Sequence, residues 1–353
     1  MHFKGGTLDV TAHESLADGK IREIYKVTGG ANGAIYVDRN FVSLLENLYG
    51  QPAIKDFRLR YPKDWLELMN NFEEKKTGQR ASEGKVTRIR VPPKFLEIVA
   101  GTSATAGRPH DVEISNDYVC LGPKAMKQLF QPVVSGIVAH MEKVLNHPEL
   151  NSVSCLFMVG GFAKSVILRE AIATAFSSRC RILIPVTDPA IAVVQGATMF
   201  GQKPTTIRSR VMATTYGFDS WYKFDPKVHD PQKKVIAEGI EHCKDIFDVI
   251  VKENEAVEVG ETKRVIRFPV YSDQKSVGFI FYTSTDPDVK YTKDPSVGPS
   301  IGKMTVDSPD TSKGRNREVE LSIFFGGTEI KASAIDKTSG NVAAVKLDFL
   351  SKS

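Results

Sequence analysis

The chain is 353 residues long, 41% hydrophobic and 25% charged, the composition of a globular protein with room for two domains. Its 47 basic and 42 acidic residues leave a net charge of +5, spread along the chain and not gathered into a basic arm with interleaved aromatics, so no nucleic-acid partner is implied. No apolar window of about 18 residues could span a bilayer, the first twenty residues hold charges and a Gly-Gly pair instead of an apolar signal core, and Cys120, Cys155, Cys180 and Cys243 lack metal-type spacing. Membrane proteins, zinc modules and small disulfide scaffolds are set aside, no metal-ligating side-chain set is assigned, and free thiols in a reducing cytoplasm are the expectation.

The chain opens on Lys4-Gly5-Gly6-Thr7-Leu8-Asp9. Glycines let a backbone approach an anion and turn N–H groups toward it, and the threonine and aspartate can meet a phosphate oxygen or a metal-bound water. An ordinary glycine hairpin between two strands fits the same residues. Strands are predicted over Leu8 to His13 and Ile21 to Thr28 around the turn Asp18-Gly19, followed by a second glycine-rich loop from Gly29 and Gly30 to Gly33. Val37, Phe41, Leu44, Leu45 and Leu48 then fall on one helical face, with Gly50 and Pro52 as a stop.

A second amphipathic helix is predicted from an N-cap at Asp64 through Trp65, Leu68, Met69 and Phe72 to the charged run Glu73 to Lys76. Gly78 to Gly84 and Ala100 to Arg108 read as exposed loops. From Gly122 a long helix carries Met126, Leu129, Phe130, Val133, Val134, Ile137, Met141 and Leu145 on its buried face, with Pro132 predicting a kink and Pro148 a stop. A strand at Leu156 to Val159, the turn Gly160-Gly161 to Ser165, a helix from Val166 to Phe176, a strand at Ile182 to Ile184 and a helix through Gly196-Ala197 form a β–α–β–α series, the pattern of an α/β layer with ligand at the strand ends. Beyond Pro204 alternating segments take over at Val265 to Val270, Val277 to Thr283, Val319 to Phe325, Ile330 to Ile335 and Val342 to Leu350. They predict an antiparallel sandwich or sheet, with Asp286 to Gly302 as a long surface loop. The expected domains are residues 1–203 and 204–353.

Gly5-Gly6-Thr7-Leu8-Asp9, the Gly29-Gly30 loop, Val159-Gly160-Gly161-Phe162-Ala163-Lys164-Ser165 and Gln195-Gly196-Ala197 stand in the order found in one superfamily. The chain resembles the 70-kDa heat-shock proteins, and within them the atypical 12A/12B-like branch, with further support from Phe72-Glu73, Lys76 and Phe324-Phe325-Gly326-Gly327-Thr328-Glu329. The resemblance implies an α/β fold, the second lobe of an actin-like, ribonuclease H-like ATPase domain, followed by a β-rich C-terminal region, in a chain that starts about halfway through the nucleotide-binding domain. It implies ATP or ADP with Mg2+ as cofactor. Gly5, Gly6 and Thr7 match the phosphate turn, Asp9 the acid after it, and Gly29 and Gly30 the segment over the phosphates. Glu73 and Lys76 match helix residues that pack on adenosine, and Gly160, Gly161 and Ser165 match the turn beside adenine and ribose.

Three departures stand beside these matches. His2 occupies the place of the family's turn aspartate, Lys4 that of its first glycine, and Thr77 that of the basic residue usual after the lysine. Asp9 is the one candidate catalytic residue, and the first-lobe residues that complete an ATPase are expected upstream of Met1. The expected function is an ATP-binding, chaperone-like protein with impaired hydrolysis, its nucleotide state biasing contact of client or partner proteins with the β-rich region. The alternatives are a non-catalytic binding or scaffold protein that keeps the fold and, third, a relative of the sugar kinases.

Overall fold

Three strands open the chain: β1 (His2–Phe3), β2 (Leu8–Ser15) and β3 (Ile21–Gly30). They belong to a computed structural model that describes residues 1–78, 84–100, 111–325 and 329–347. Most of the loops predicted at Gly78 to Gly84 and Ala100 to Arg108 lie outside the described residues. Two compact units are formed, Met1–Thr11 with Thr28–Met199, and Ala12–Val27 with Phe200–Ser353. The segment 12–27, expected in the first domain, therefore groups with the second unit.

In the first unit, β1 pairs antiparallel with the start of β2 through His2↔Asp9 and Phe3↔Leu8. Helices α1 (Ala34–Tyr49), α2 (Gln51–Arg60) and α3 (Pro62–Gly78) follow. The 3.6-residue spacing of Val37, Phe41, Leu45 and Leu48 puts all four in the core. Phe41 stacks on Phe72 of α3 at 4.0 Å between ring centroids. Gly50, at φ +90°, adopts a conformation L side chains rarely take, and Pro52 sits in the first turn of α2. The predicted stop is thus a corner between two helices. Asp64 lies in the first turn of α3, which begins at Pro62, so it faces the positive helix end without being the cap.

A small antiparallel sheet of β4 (Thr87–Arg90), β5 (Val112–Ser115) and β6 (Tyr118–Leu121), ordered β4-β6-β5, flanks α4 (Pro93–Val99) in the chain. Helix α5 (Pro123–Leu145) runs unbroken across Pro132 and buries the whole predicted stripe from Met126 to Leu145. Next come β7 (Cys155–Phe157), α6 (Val166–Phe176), β8 (Arg181–Leu183) and α7 (Ala192–Gln202). β7 and β8 are parallel, and β1 joins the free edge of β7 in parallel through the His2↔Val159 bridge. The Phe3 N–H donates to the Val159 carbonyl at 2.8 Å there.

The second unit contains the β2–β3 turn, where Gly19 takes φ +77°, and a series of strands. β9 (Ile207–Val211) runs parallel to β3 and antiparallel to β13 (Ala256–Glu258). β10 (Thr215–Lys223), β11 (Lys234–Ala237), β12 (Ile240–Val251), β15 (Ser276–Ser284) and β16 (Gly302–Asp307) form an antiparallel sheet in the order β11-β12-β10-β15-β16. A second sheet orders β14 (Thr262–Arg267), β17 (Val319–Phe325), β18 (Ile330–Asp336) and β19 (Val342–Leu347). Phe218, Phe279 and Phe281 from the first sheet and Leu321, Ile323, Ala332 and Ala334 from the second share one core. Residues 286–301 are no simple surface loop: Val289 and Thr292 are buried, Tyr291 bridges to Ile246, and Val297 bridges to Ser284.

Candidate functional site

The carboxyl ends of the parallel strands β1, β7 and β8 carry the turn at Lys4 to Thr7, the turn at Gly160-Gly161 and the segment ending at Asp188. This is the end of a parallel sheet at which α/β proteins bind ligands. The Lys4 N–H donates to the Thr7 carbonyl at 2.9 Å and closes the first turn. At Gly5 and Gly6 an added Cβ would meet nothing within 4 Å, so both glycines face open space. Among the described residues, neither of their N–H groups has a backbone acceptor.

The back of that turn is fixed. Its Lys4 and Gly5 carbonyls accept from the N–H groups of Ala34 at 3.2 Å and Ile35 at 2.8 Å, so these first-turn donors of α1 are consumed by the turn. A Cβ at Gly33 would come within 2.3 Å of the Gly5 carbonyl oxygen. Gly29 and Gly30 belong to β3, not to a loop, and a Cβ at Gly29 would lie 2.2 Å from the Leu8 carbonyl oxygen. The structure therefore places Gly29 behind the turn, in backbone packing. The Lys4 ammonium pairs with the Asp9 carboxylate. His2, beside it, is held below the usual imidazole range by burial and then by the Lys4 charge, so it is neutral near pH 7.

The second turn leans on the first strand. Gly160 takes φ +96°, and a Cβ there would meet the Phe3 carbonyl oxygen at 2.4 Å and the His2 ring at 2.7 Å. Its N–H donates to the Pro189 carbonyl at 2.8 Å. Gly161 faces open space. Lys164 and Asp188 form an ion pair across the turn at 2.6 Å, a pair the sequence reading missed, and Lys164 with the Ala190 N–H holds the Asp188 carboxyl below the usual range.

Glu73, Lys76 and Ser165 meet in a buried junction of α1, α3 and α6. Lys76 is fully buried, its ammonium donating to Asp38 Oδ1 at 2.6 Å and pairing with Glu73, which stays half exposed. Burial pushes the Asp38 carboxyl up, against the pull of Lys76. Ser165 is the N-cap of α6: its Oγ accepts from the Leu168 N–H at 3.5 Å and donates to the Lys76 carbonyl at 3.4 Å. Asp38 is the partner sequence reasoning missed: it follows the core residue Val37 and precedes Phe41 by three positions, and that spacing gives no signal of a lysine on another helix.

The chemistry available is anion binding. Among the described residues the turns offer N–H groups with no backbone acceptor at Gly5, Gly6 and Gly161, and Lys4 and Lys164 stand beside them, each paired with an aspartate. Asp9, Asp38 and Asp188 each face a lysine, so each is held as an ion-pair partner and not as a free general base. Among the described residues no group of three or more His, Cys, Asp or Glu side chains could hold a metal ion, and no helix is long and apolar enough to cross a membrane.

No protein-family model matches the chain. It is 33% identical over 358 aligned residues to heat shock 70 kDa protein 12A of Mus musculus and 32% identical to the Homo sapiens protein of that name. It is also 32% identical over 365 residues to heat shock 70 kDa protein 12B of Homo sapiens. Each alignment covers 98% of this chain and 53% of the relative, so the chain spans about half the length of the curated relatives it matches. A mixed α/β chain with glycine turns at the ends of parallel strands fits an actin-like ATPase fold of that kind, and with this similarity along its length the chain belongs to the atypical, 12A/12B-like branch of the 70-kDa heat-shock proteins.

Proposed function

We infer that the first unit corresponds to the second lobe of an actin-like nucleotide-binding domain and binds ATP or ADP with Mg2+, while the β-rich second unit contacts client or partner proteins. The observation that carries this reading is the pairing of two glycine turns, one open at Gly5-Gly6 and the other at Gly161, at the carboxyl ends of β1 and β7. Open N–H donors beside lysines fit a polyphosphate. Mg2+ keeps several waters and is held by one or two carboxylates together with phosphates, and Asp9, next to the turn, fits that role once Lys4 moves to the phosphate. Thr7 would add a hydroxyl to the phosphate, and Gly161 leaves room for a flat base. Lys76, buried, would support the adenosine side through the position of α3, with Glu73 as its exposed neighbour.

Phosphoryl transfer depends on positioned charge around the reacting group. In this chain the one acid beside the phosphate turn is tied to Lys4, so hydrolysis by the chain alone is expected to be slow. Calorimetric titration of the folded chain with ATP and MgCl2 tests the reading: saturable binding that weakens in Gly6→Val supports it, and no heat with intact circular dichroism sinks it.

The lysine-paired state of Asp9, Asp38 and Asp188 favours a second reading, a non-catalytic binding or scaffold protein that keeps the fold. Helix α7 buries none of its residues and exposes Val194 and Met199, which suits association with another polypeptide. ATP turnover that disappears in Asp9→Ala would remove this second reading.

A further inference from the structure

A recess in the second unit lies far in sequence from the two candidate phosphate turns. It lies on the outer face of the β14-β17-β18-β19 sheet, has a volume of about 560 Å³, and is lined by Arg264, Ser322, Phe324, Lys331, Ser333 and Lys346 among others. The strand register explains its shape. Three rows of side chains cross the sheet: Thr262, Phe324, Lys331 and Lys346; then Arg264, Ser322, Ser333 and Ala344; then Ile266, Glu320, Ile335 and Val342. The alternate residues of β17 and β18, Leu321, Ile323, Ala332 and Ala334, point into the core, so these rows form the opposite face.

The middle row has small side chains on three adjacent strands and forms the floor of a trough. The rows that flank it are four residues apart along each strand, roughly 14 Å at about 3.4 Å per residue. Phe324, 39% exposed, lines the recess on one side, and Ile266 and Val342 of the third row, 44% and 66% exposed, lie just beyond its lining on the other. Among the described residues the lining contains three cations and no carboxylate. The two carboxylates that pair with them are each shared between two cations: Glu329 lies 3.6 Å from Lys331 and 3.3 Å from Lys346, and Glu320, which stands in the third row, is 3.7 Å from Arg264 and held more closely by Lys337 at 2.5 Å. Among the described residues, the four cations Arg264, Lys331, Lys337 and Lys346 thus stand against the three acids Glu318, Glu320 and Glu329, leaving an excess of positive charge beside an exposed apolar trough.

We propose that this trough is a docking site for an acidic protein segment that carries an apolar anchor. The apolar side chain seats on the small floor between Phe324 and the Ile266–Val342 wall, and the flanking carboxylates meet Lys331, Lys346 and Arg264. Charge complementarity selects the acidic partner, and the exposed apolar walls supply the area that charges alone do not. The proposal deepens the partner-binding part of the function above and rests on it, but not on nucleotide binding, because every residue of the trough lies in the second unit.

The test uses the full chain and three fluorescein-labelled synthetic peptides: alternating Glu and Ala around a central Leu-Phe pair, the same peptide with Gln for Glu, and the same with Lys for Glu. Fluorescence anisotropy should show saturable binding of the Glu peptide, weakened by added salt, and affinities at least about tenfold lower for the other two. The double variant Lys331→Glu/Lys346→Glu should lower affinity for the Glu peptide about tenfold or more, and Ser333→Trp, which fills the floor, should abolish it. Both variants should keep the circular dichroism spectrum and ATP titration of the parent. Equal binding of all three peptides, no binding of the Glu peptide, or binding indifferent to both variants overturns the proposal. Concentration-dependent dimerisation in sedimentation that Ser333→Trp removes also overturns it, in favour of a second copy of the chain as occupant. A failed ATP titration beside intact peptide binding strikes only the nucleotide reading.

Discussion

The Lys76 ammonium of α3 is buried against the Asp38 carboxylate of α1 at 2.6 Å, with Glu73 as its second acidic partner. Removing one member of such a pair leaves the other charge buried and uncompensated. Lys76→Met should therefore lower the unfolding free energy by about 3 kcal/mol, read by chemical denaturation. Adding Asp38→Asn to Lys76→Met should recover part of that loss, because the stranded carboxylate is gone. A cost for Lys76→Met below about 1 kcal/mol, the range of an exposed pair, would contradict the buried junction.

A second buried carboxyl gives the protein a pH dependence. Asp219 on β10 has its Oδ1 buried without a hydrogen-bond partner, and its pKa is pushed up to about 6, by burial first and by the like charge of Asp245 second. Lys293, Lys233 and the Ser220 N–H oppose that rise without cancelling it. Because the folded chain holds this proton more tightly than the unfolded chain, the stabilising contribution is complete below the ordinary value of 3.8 and is lost as pH rises through about 6. After allowance for solvent screening the loss is about 1–2 kcal/mol. Asp219→Asn should flatten stability between pH 4 and 7, roughly the window set by those two values, and should be the more stable form at pH 7. Parallel pH profiles for the two proteins would exclude this assignment.

Periodicity made much of the fold legible. Val37, Phe41, Leu45 and Leu48 repeat at the helical period and are all core, and β17 and β18 alternate cleanly because one face packs and the other does not. β10 and β12 were not legible for a physical reason: Gly217 and Asp219 interrupt the alternation of β10, and β12 turns through Asp245 at φ +57°. At the candidate site the glycine turns stood out as motifs, but their division of labour did not. Whether a glycine faces space, as Gly5, Gly6 and Gly161 do, or backbone, as Gly29 and Gly160 do, depends on strands paired across the whole unit. The same holds for Lys76, whose burial depends on Asp38, a residue 38 positions earlier.

That division separates folding from binding at adjacent residues. Gly160 has φ +96° and would place a Cβ 2.4 Å from the Phe3 carbonyl oxygen, a backbone atom that cannot swing away, whereas Gly161 has open space. Gly160→Ala should cost about 2 kcal/mol or more through strain and displacement of β1, seen as a lower denaturation midpoint. Gly161→Ala should change stability by less than about 1 kcal/mol, since its added methyl meets nothing. If nucleotide lies over this turn, a larger side chain at the open position will intrude on it. Gly161→Leu should then keep the parent's denaturation midpoint within the same small margin while weakening ATP affinity in calorimetry by about tenfold, the equivalent of about 1.4 kcal/mol. Unchanged affinity in Gly161→Leu, with the fold intact, would mean that the open turn is not part of the nucleotide site.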